Sequence, residues 1–454
     1  MGEGFESVVS NAFAGLGFPV ENAEAVFPHH LLVEGDLSPF REDIDKIIDG
    51  LTKWEPKVKE KTLVPASRLT IEGKDYQEAI AKMNNLFLKN MWGDGLPLLP
   101  ATQERVDWIL KGTDLSPDAA IGAILPAGRV ATAETLAVTL AMTGGRPEYL
   151  PVLIAAIQAI LEPDQAHQRM QATTCSVYPA VMVNGPIAKQ IRLNAGYSCI
   201  GPNPTWPAGG SIGRAVQLLL LTVGAAVPGS GSMAIHGAPA KYAGVVFAED
   251  EENLPEGWKP LNVEYFGYPE GANTVGVLSV ASNVDLHNTT IREGDELAKL
   301  YLYSDFLRVP NWNAITGPYA DAPPGIVVFP QGQAKALVNG GWTKEKIKVF
   351  LWENSMIPLD IIERANNQTW AEIVGDGSKY PWLVDASVGN SLPITKKPED
   401  IMIVVAGGEQ SGHGYWMHVG CCPAKATSAE IELPADWEQL LTEAEEDLGP
   451  APTY

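Results

Sequence analysis

GIVVFPQGQAKALVNGGWTKEKIKVFLWEN (Gly325 to Asn354) sets the fold class. Its opening "GIVVF" is a short apolar run rich in β-branched residues, the composition of a buried strand. Two helical segments follow, broken at Gly340–Gly341, and Thr343 stands as N-cap of the second. The alternation recurs along the chain. "SVYPAVMVNGP", "AGVVFAED", "TVGVLSVASN" and "IMIVVAGG" are further strand-like runs, each giving way to small and polar residues. "SIGRAVQLLLLTVGAAVPG" reads as a buried helix opened by Ser211. Strands alternating with helices predict an α/β protein, with mixed sheets covered by helices and a helical/irregular N-terminal segment. No internal repeat and no heptad array is visible.

Upstream the pattern is helical. "SPFREDIDKIIDGLTKW" has Ser38 or Asp43 as N-cap, and "KDYQEAIAKMNNLFLKNMW" is a second amphipathic helix stopped by "GDGLPLLPAT". "TAETLAVTLAMTGG" starts at Thr132 and closes at Gly144–Gly145. "RPEYLPVLIAAIQAIL" after it is apolar around most of its circumference, which predicts a central helix. Boundaries are placed near 85 and 265. They give a helical/irregular segment 1–85, an α/β domain 86–265 with a Gly/Pro-rich anion-binding loop, and a second α/β domain 266–454 with an acidic C-terminal tail.

Composition narrows the function classes. The 454 residues are 45% hydrophobic and 19% charged, as in a globular protein. The net charge of −23, with no basic stripe to offset it, argues against nucleic acid as partner. No apolar run reaches membrane-spanning length and no basic leader opens the sequence, so a cytoplasmic protein without a membrane partner is expected. Four cysteines exclude a disulfide scaffold.

Several places could carry chemistry. The loop "GPNPTWPAGGSIGR" (Gly201 to Arg214) feeds a helix, so free N–H groups, the Ser211 hydroxyl and the Arg214 fork are expected to hold an anion. It matches neither Walker A nor G-x-G-x-x-G spacing, so no nucleotide is implied. Just upstream, Thr173, Thr174, Asn184 and Asn194 fall at turns beside strand ends, where α/β ligand sites lie. Cys175 there, or Cys199, is a nucleophile candidate. In "MAIHGAPAKYAGVVFAED", His236 is placed to move a proton, Lys241 and Tyr242 to stabilise charge, and Glu249 to turn inward.

"GGEQSGHGYWMHVGCC" holds His413, His418, Cys421 and Cys422. Along a strand, His418 and Cys422 lie about 13 Å apart at ~3.3 Å per residue, and Cys421 faces the other way. A four-ligand metal site requires a sharp turn at Gly420, so no metal ligand is assigned. His413 is expected on a mobile loop that reaches a pocket.

"GDGLPLLPAT", "GGRPEYLPVLIAAIQAI", "ATTCSVYPAVMVNGPIAKQI", "SIGRAVQLLLLTVGAAVPG", "GAPAKYAGVVFAEDEE" and "GGWTKEKIKVFLWEN" together resemble a largely uncharacterised bacterial family associated with UGSC-type (seleno)proteins. The resemblance spans roughly residues 85 to 410. It implies thiol or selenol chemistry on a carbon–heteroatom bond or a disulfide. The chain has no Cys-Gly-Ser-Cys segment, and "HVGCC" is the nearest cysteine-rich stretch. Thr173, Thr174, Asn184, Arg214, Lys241, Tyr242, Glu249 and His413 lie within or just beyond the shared motifs.

The expected function is an enzyme acting on a small anionic organic molecule, by redox or lyase-type cleavage of a carbon–heteroatom bond. Two alternatives stand beside it. One is a metal-dependent hydrolase or lyase with His, Cys or Glu ligands. The other is a non-catalytic subunit of a thiol- or selenol-dependent complex. No cofactor is named by any motif. A homo-oligomer is expected, with a second thiol- or selenol-bearing subunit as a further partner.

Overall fold

The strand-forming runs join into one mixed sheet with helices around it, so the chain is an α/β protein. The computed structural model describes residues 38–53, 68–287, 294–308, 323–378, 381–410, 412–419 and 424–450. Cys421 and Cys422, and most of the expected N-terminal segment, lie outside these residues. In chain order the strands are β1 (Ala120–Ile124), β2 (Arg129–Thr132), β3 (Tyr178–Asn184), β4 (Val245–Ala248), β5 (Thr274–His287), β6 (Gly325–Phe329), β7 (Ile357–Pro358), β8 (Ser391–Leu392), β9 (Met402–Val405), β10 (His413–Val419) and β11 (Thr427–Glu430). β1–β2 and β7–β8 are separate antiparallel pairs. The other seven form one sheet in the order β4-β3-β5-β10-β6-β9, with β11 on β5. The boundary expected near 265 therefore falls between β4 and β5, strands of one sheet.

Local chemistry explains where the helices begin. Thr132 accepts from Thr135 N to cap Ala133–Met142, and Thr343 accepts from Lys346 N to cap Lys344–Asn354. The helix expected to open at Ser211 starts one turn earlier and spans Ala208–Thr222. Its glycines explain the shift. A Cβ at Gly209 would sit 2.5 Å from Val246 O, and one at Gly213 would collide with Ala243 O. These glycines let the helix lie directly on β4 and the turn before it.

One face of the sheet turns inward. Tyr178, Ala180, Met182, Val245, Phe247, Leu278, Val280, Ile326, Val328, Met402, Val404, Met417 and Val419 form an inner core. The alternate residues of the same strands face helices. Val181, Val183, Val246, Val275 and Val277 pack with Leu150–Leu161, the central helix, ten of whose twelve residues are buried. Val327, Phe329, Ile403, Val405 and Trp416 pack with Glu296–Leu307 and Lys344–Asn354. The sheet curls until its edges meet: Asp250 N, just past β4, donates to Val405 O at the end of β9 (2.8 Å).

The sheet is wired twice in the same way. β3 pairs parallel with β4 and antiparallel with β5; β6 pairs parallel with β9 and antiparallel with β10. The registers coincide. Met182 faces Phe247 and Gly276, as Val328 faces Val404 and Tyr415. Glu249 N donates to Val183 O (3.1 Å), as Ala406 N does to Phe329 O (2.9 Å). β5 and β10 meet antiparallel across the resulting pseudo-twofold axis.

Candidate functional site

Where β5 and β10 run side by side, residues two apart share a face. His413 lies opposite His287, Tyr415 opposite Asp285, and Met417 opposite Asn283. This stripe continues the inner face outward, since Met417 belongs to the inner core. His413 is thus the first residue of a strand, not part of the mobile loop expected for it. Gly414 beside it reads as a loop residue, yet it is a packing requirement, because a Cβ there would collide with Tyr303 Oη.

The stripe is hydrogen-bonded throughout. His413 Nδ1 contacts Asp285 Oδ1 and Oδ2 at 3.0 and 3.2 Å, and His413 Nε2 lies 3.1 Å from His287 Nδ1. With Asp285 ionised it accepts the His413 Nδ1 proton, as carboxylates do when they orient a working imidazole. His413 Nε2 is then the acceptor for His287 Nδ1–H, and the outer lone pair is on His287 Nε2. Asn283 Nδ2 donates to Tyr415 Oη, and Tyr178 Oη donates to Asn283 Oδ1 (3.1 Å). Burial raises the Tyr415 hydroxyl above its ordinary range, with the Asn283 bond acting against it and the nearby Asp285 and Cys199 adding to the rise. Tyr415 is therefore a neutral donor at physiological pH.

His413, Asp285 and Tyr415 open onto a cavity of about 590 Å³. Its walls include Tyr197, Cys199, Val328, Pro330, Ala406 and Gly407. Pro330 and Ala406 directly follow the carboxyl ends of the parallel strands β6 and β9, the position where open α/β sheets bind ligands. Asn194 shapes one wall: it accepts from Gly196 N (3.0 Å) and donates to Tyr197 O (2.9 Å). The turn it holds carries Ser198 with φ +58° and the buried, free Cys199. Burial pushes the Cys199 thiol up to about 12, against hydrogen bonds from backbone N–H groups, so it is a neutral floor at pH 7 and not a thiolate. Among the described residues no Lys or Arg lines this cavity, and no group of three His, Cys, Asp or Glu is placed to hold a metal ion.

The other expected residues lie elsewhere. His236, Lys241 and Tyr242 do come together, in a second cleft of about 730 Å³ whose walls share no residue with the first. Arg214 aims its fork at a carboxylate of the protein itself. Its Nε and Nη2 bind Asp94 at 2.8 and 3.0 Å, and Nη2 also reaches Pro97 O (3.0 Å). Ser211, inside the helix, accepts at its carbonyl from Thr143 Oγ1 (3.1 Å). Neither residue lines either cavity.

Asn184 and Glu249 are buried in a closed network. Asn184 Nδ2 donates to Glu249 Oε2 and Glu251 Oε1, both at 2.8 Å, and Glu249 Oε2 accepts from Leu261 N (2.7 Å). Lys344 Nζ approaches Glu249 at 4.0 Å and Glu264 at 3.0 Å. Burial raises the Glu249 carboxyl, with Lys344 opposing. Cys175 is disulfide-bonded, so in this form it has no thiolate to attack with. Thr173 Oγ1 accepts from Cys175 N (3.1 Å), and Thr174 O from Ile235 N (3.0 Å).

Sequence reasoning passed over Asn283, Asp285, His287 and Tyr415. A signal was present in "NVDLH" (Asn283 to His287), where polar residues recur at every second position beyond an apolar strand. Comparison with protein-family models, with curated proteins and with solved structures finds no match. No helix among the described residues is long and apolar enough to cross a membrane.

Proposed function

We propose that the protein is an enzyme that moves a proton on a small organic molecule held in the Cys199–His413 cavity, in a lyase-type cleavage of a carbon–heteroatom bond. The observation that carries this reading is the Asp285–His413 pair in the wall of that cavity, with His287 hydrogen-bonded to His413. Asp285 fixes the tautomer, and the imidazole pair takes a proton from a carbon beside the bond to be broken. The electron pair left on that carbon forms the new double bond and expels the heteroatom. Tyr415, held neutral, donates a hydrogen bond to the departing atom and so stabilises its developing charge. The histidine pair returns the proton, which balances the step. The cavity favours an uncharged substrate over the anion expected from the sequence. Its titratable wall includes Asp285 but no Lys or Arg among the described residues, and the chain carries −23.

The test is proton NMR in D2O with a panel of ketones, β-hydroxy ketones and β-thioethers of carbonyl compounds. Deuterium wash-in or elimination by the protein, lost in His413→Ala and Asp285→Asn, supports the reading. A reaction that proceeds equally in both variants, or no reaction and no panel compound in the cavity of soaked crystals, sinks it.

A further inference from the structure

The second cleft has a construction of its own. One wall is the end of the Tyr76–Asn90 helix, where Met91 takes the left-handed conformation (φ +56°) and the "GDG" turn follows. The opposite wall is the segment from Ala226 to Tyr242. That segment is braced by its own backbone: Ser232 N donates to Val227 O (3.1 Å) and Gly229 N to Ser232 O (2.9 Å), while Ile235 N is tied to Thr174 O (3.0 Å). A Cβ on Gly231 would collide with Ala225 O, so the turn admits no larger residue there. The cleft is thus preformed, and its volume of about 730 Å³ is within the range of small-molecule sites.

Its surfaces are of two kinds. Leu220, Leu221, Ala226 and Val227 make an aliphatic interior. Four large apolar side chains stand in water around the opening: Leu88, Met91, Ile235 and Tyr242, which are 58%, 61%, 72% and 68% exposed. Such a ring of exposed apolar side chains around one opening marks a binding surface. Lys241 brings an ammonium into the wall, and the carboxylate present there, Asp94, is engaged by Arg214. Gln217 Nε2 is shut off from solvent with no hydrogen-bond partner among the described residues. Gln217 itself lines the cleft, and its terminal torsion is broad. A buried amide donor left alone is destabilising, and an acceptor on a ligand removes that penalty.

We propose that this cleft is a second binding site, for a small carboxylic acid with an apolar body. The body fills the aliphatic interior, and the carboxylate meets Lys241 and the Gln217 amide. The site stands apart from the His413 cavity and does not depend on the reaction proposed for it.

Octanoate added to the full chain and followed by calorimetry provides the test. One octanoate per chain is expected. Removing two methylenes, as in hexanoate, should weaken binding roughly tenfold, and octanol should bind at least about tenfold more weakly than octanoate. Leu221→Trp, which fills the interior, should abolish binding. Ile235→Asp, at a solvent-exposed lip position that leaves the core untouched, should weaken it even if the tryptophan variant fails to fold. Octanol binding as tightly as octanoate, no dependence on chain length, or unchanged affinity in Ile235→Asp would each overturn the proposal. So would sedimentation showing a dimer that Ile235→Asp disperses and octanoate leaves intact, since a second copy of the chain would then cover the cleft.

Discussion

The two halves of the sheet share one wiring and use it oppositely. Beyond β3 and β4 the space at the strand ends is filled by Asn184, Glu249 and Glu251, with Lys344 drawn in from the other half. Beyond β6 and β9 the corresponding positions are Pro330, Ala406 and Gly408, and a cavity opens there. The register repeats this contrast within the strands. Tyr415 of the open half corresponds to Gly276 of the closed half, where the Phe266 ring lies 2.9 Å from the place of a Cβ. A fold that builds two equivalent crevices has closed one with charge and left the other lined with histidine, tyrosine and cysteine. Under the proposed function, stability and chemistry fall to different halves.

The sharpest way to break the comparison is to remove the charge that holds the closed half. Lys344 is 2% exposed and serves both Glu249 and Glu264. Lys344→Met leaves the buried Glu249 without its cation, while Lys348 still holds Glu264, and removing one partner of a buried pair costs about 3–5 kcal/mol. Urea unfolding should show that loss, while ligands of the open cavity should bind as before in the fraction that remains folded. His413→Ala should do the reverse. It removes the proton-transfer group from a half-exposed strand end, so turnover should fall about a hundredfold or more, with the urea midpoint nearly unchanged. If His413→Ala unfolds the protein and Lys344→Met does not, the assignment of roles to the halves is wrong.

Much of this plan was legible locally and little of it globally. Thr132, Thr343 and the Gly340–Gly341 break announce helix limits because caps and glycines act within a few residues. The strand runs are visible for the same reason. Pairing is different: β5 joins strands from both ends of the chain, and no local pattern states that register. The site suffers most. His413 meets Asp285 and His287 across 128 and 126 residues, so its partners were out of reach even though its own importance was visible. Arg214 misled for a related reason. A cation at a glycine-rich helix start suggests an anion, and here the anion is Asp94, 120 residues earlier in the chain.

The halves should also differ in acid. On the outer face Ser279 of the closed half corresponds to His418 of the open half, facing Pro179 and Gly325 respectively. Ser279 does not titrate and accepts from Gln165 Nε2 (2.9 Å). Burial pulls His418 down to about 4, whereas an unfolded histidine titrates near 6.5. Between those values the unfolded chain binds a proton that the folded chain refuses, so stability falls as pH drops from about 6.5 to about 4. The His418 contribution is about 3 kcal/mol over that window. Urea titrations at pH 7 and pH 4.5 should show a smaller acid loss in His418→Gln than in the parent chain. An equal loss in both would place the acid sensitivity outside the open half.

Arg214→Lys gives the smallest effect and decides what the glycine-rich helix start is for. Lysine keeps the charge but replaces a two-pronged contact with a single point, so the bond to Asp94 loses one of its two branches and Pro97 O loses its donor. The Arg214 and Asp94 side chains are 19% and 12% exposed, so solvent screens the pair only in part. A destabilisation of about 1 kcal/mol is expected, the scale of one hydrogen bond. Because Arg214 lines neither cavity, turnover at the His413 site should be unchanged. Were Arg214 the anchor of a substrate anion, the same change would leave unfolding alone and raise KM instead. Measuring both on one variant therefore separates a residue that clasps the closed half together from one that serves the open half.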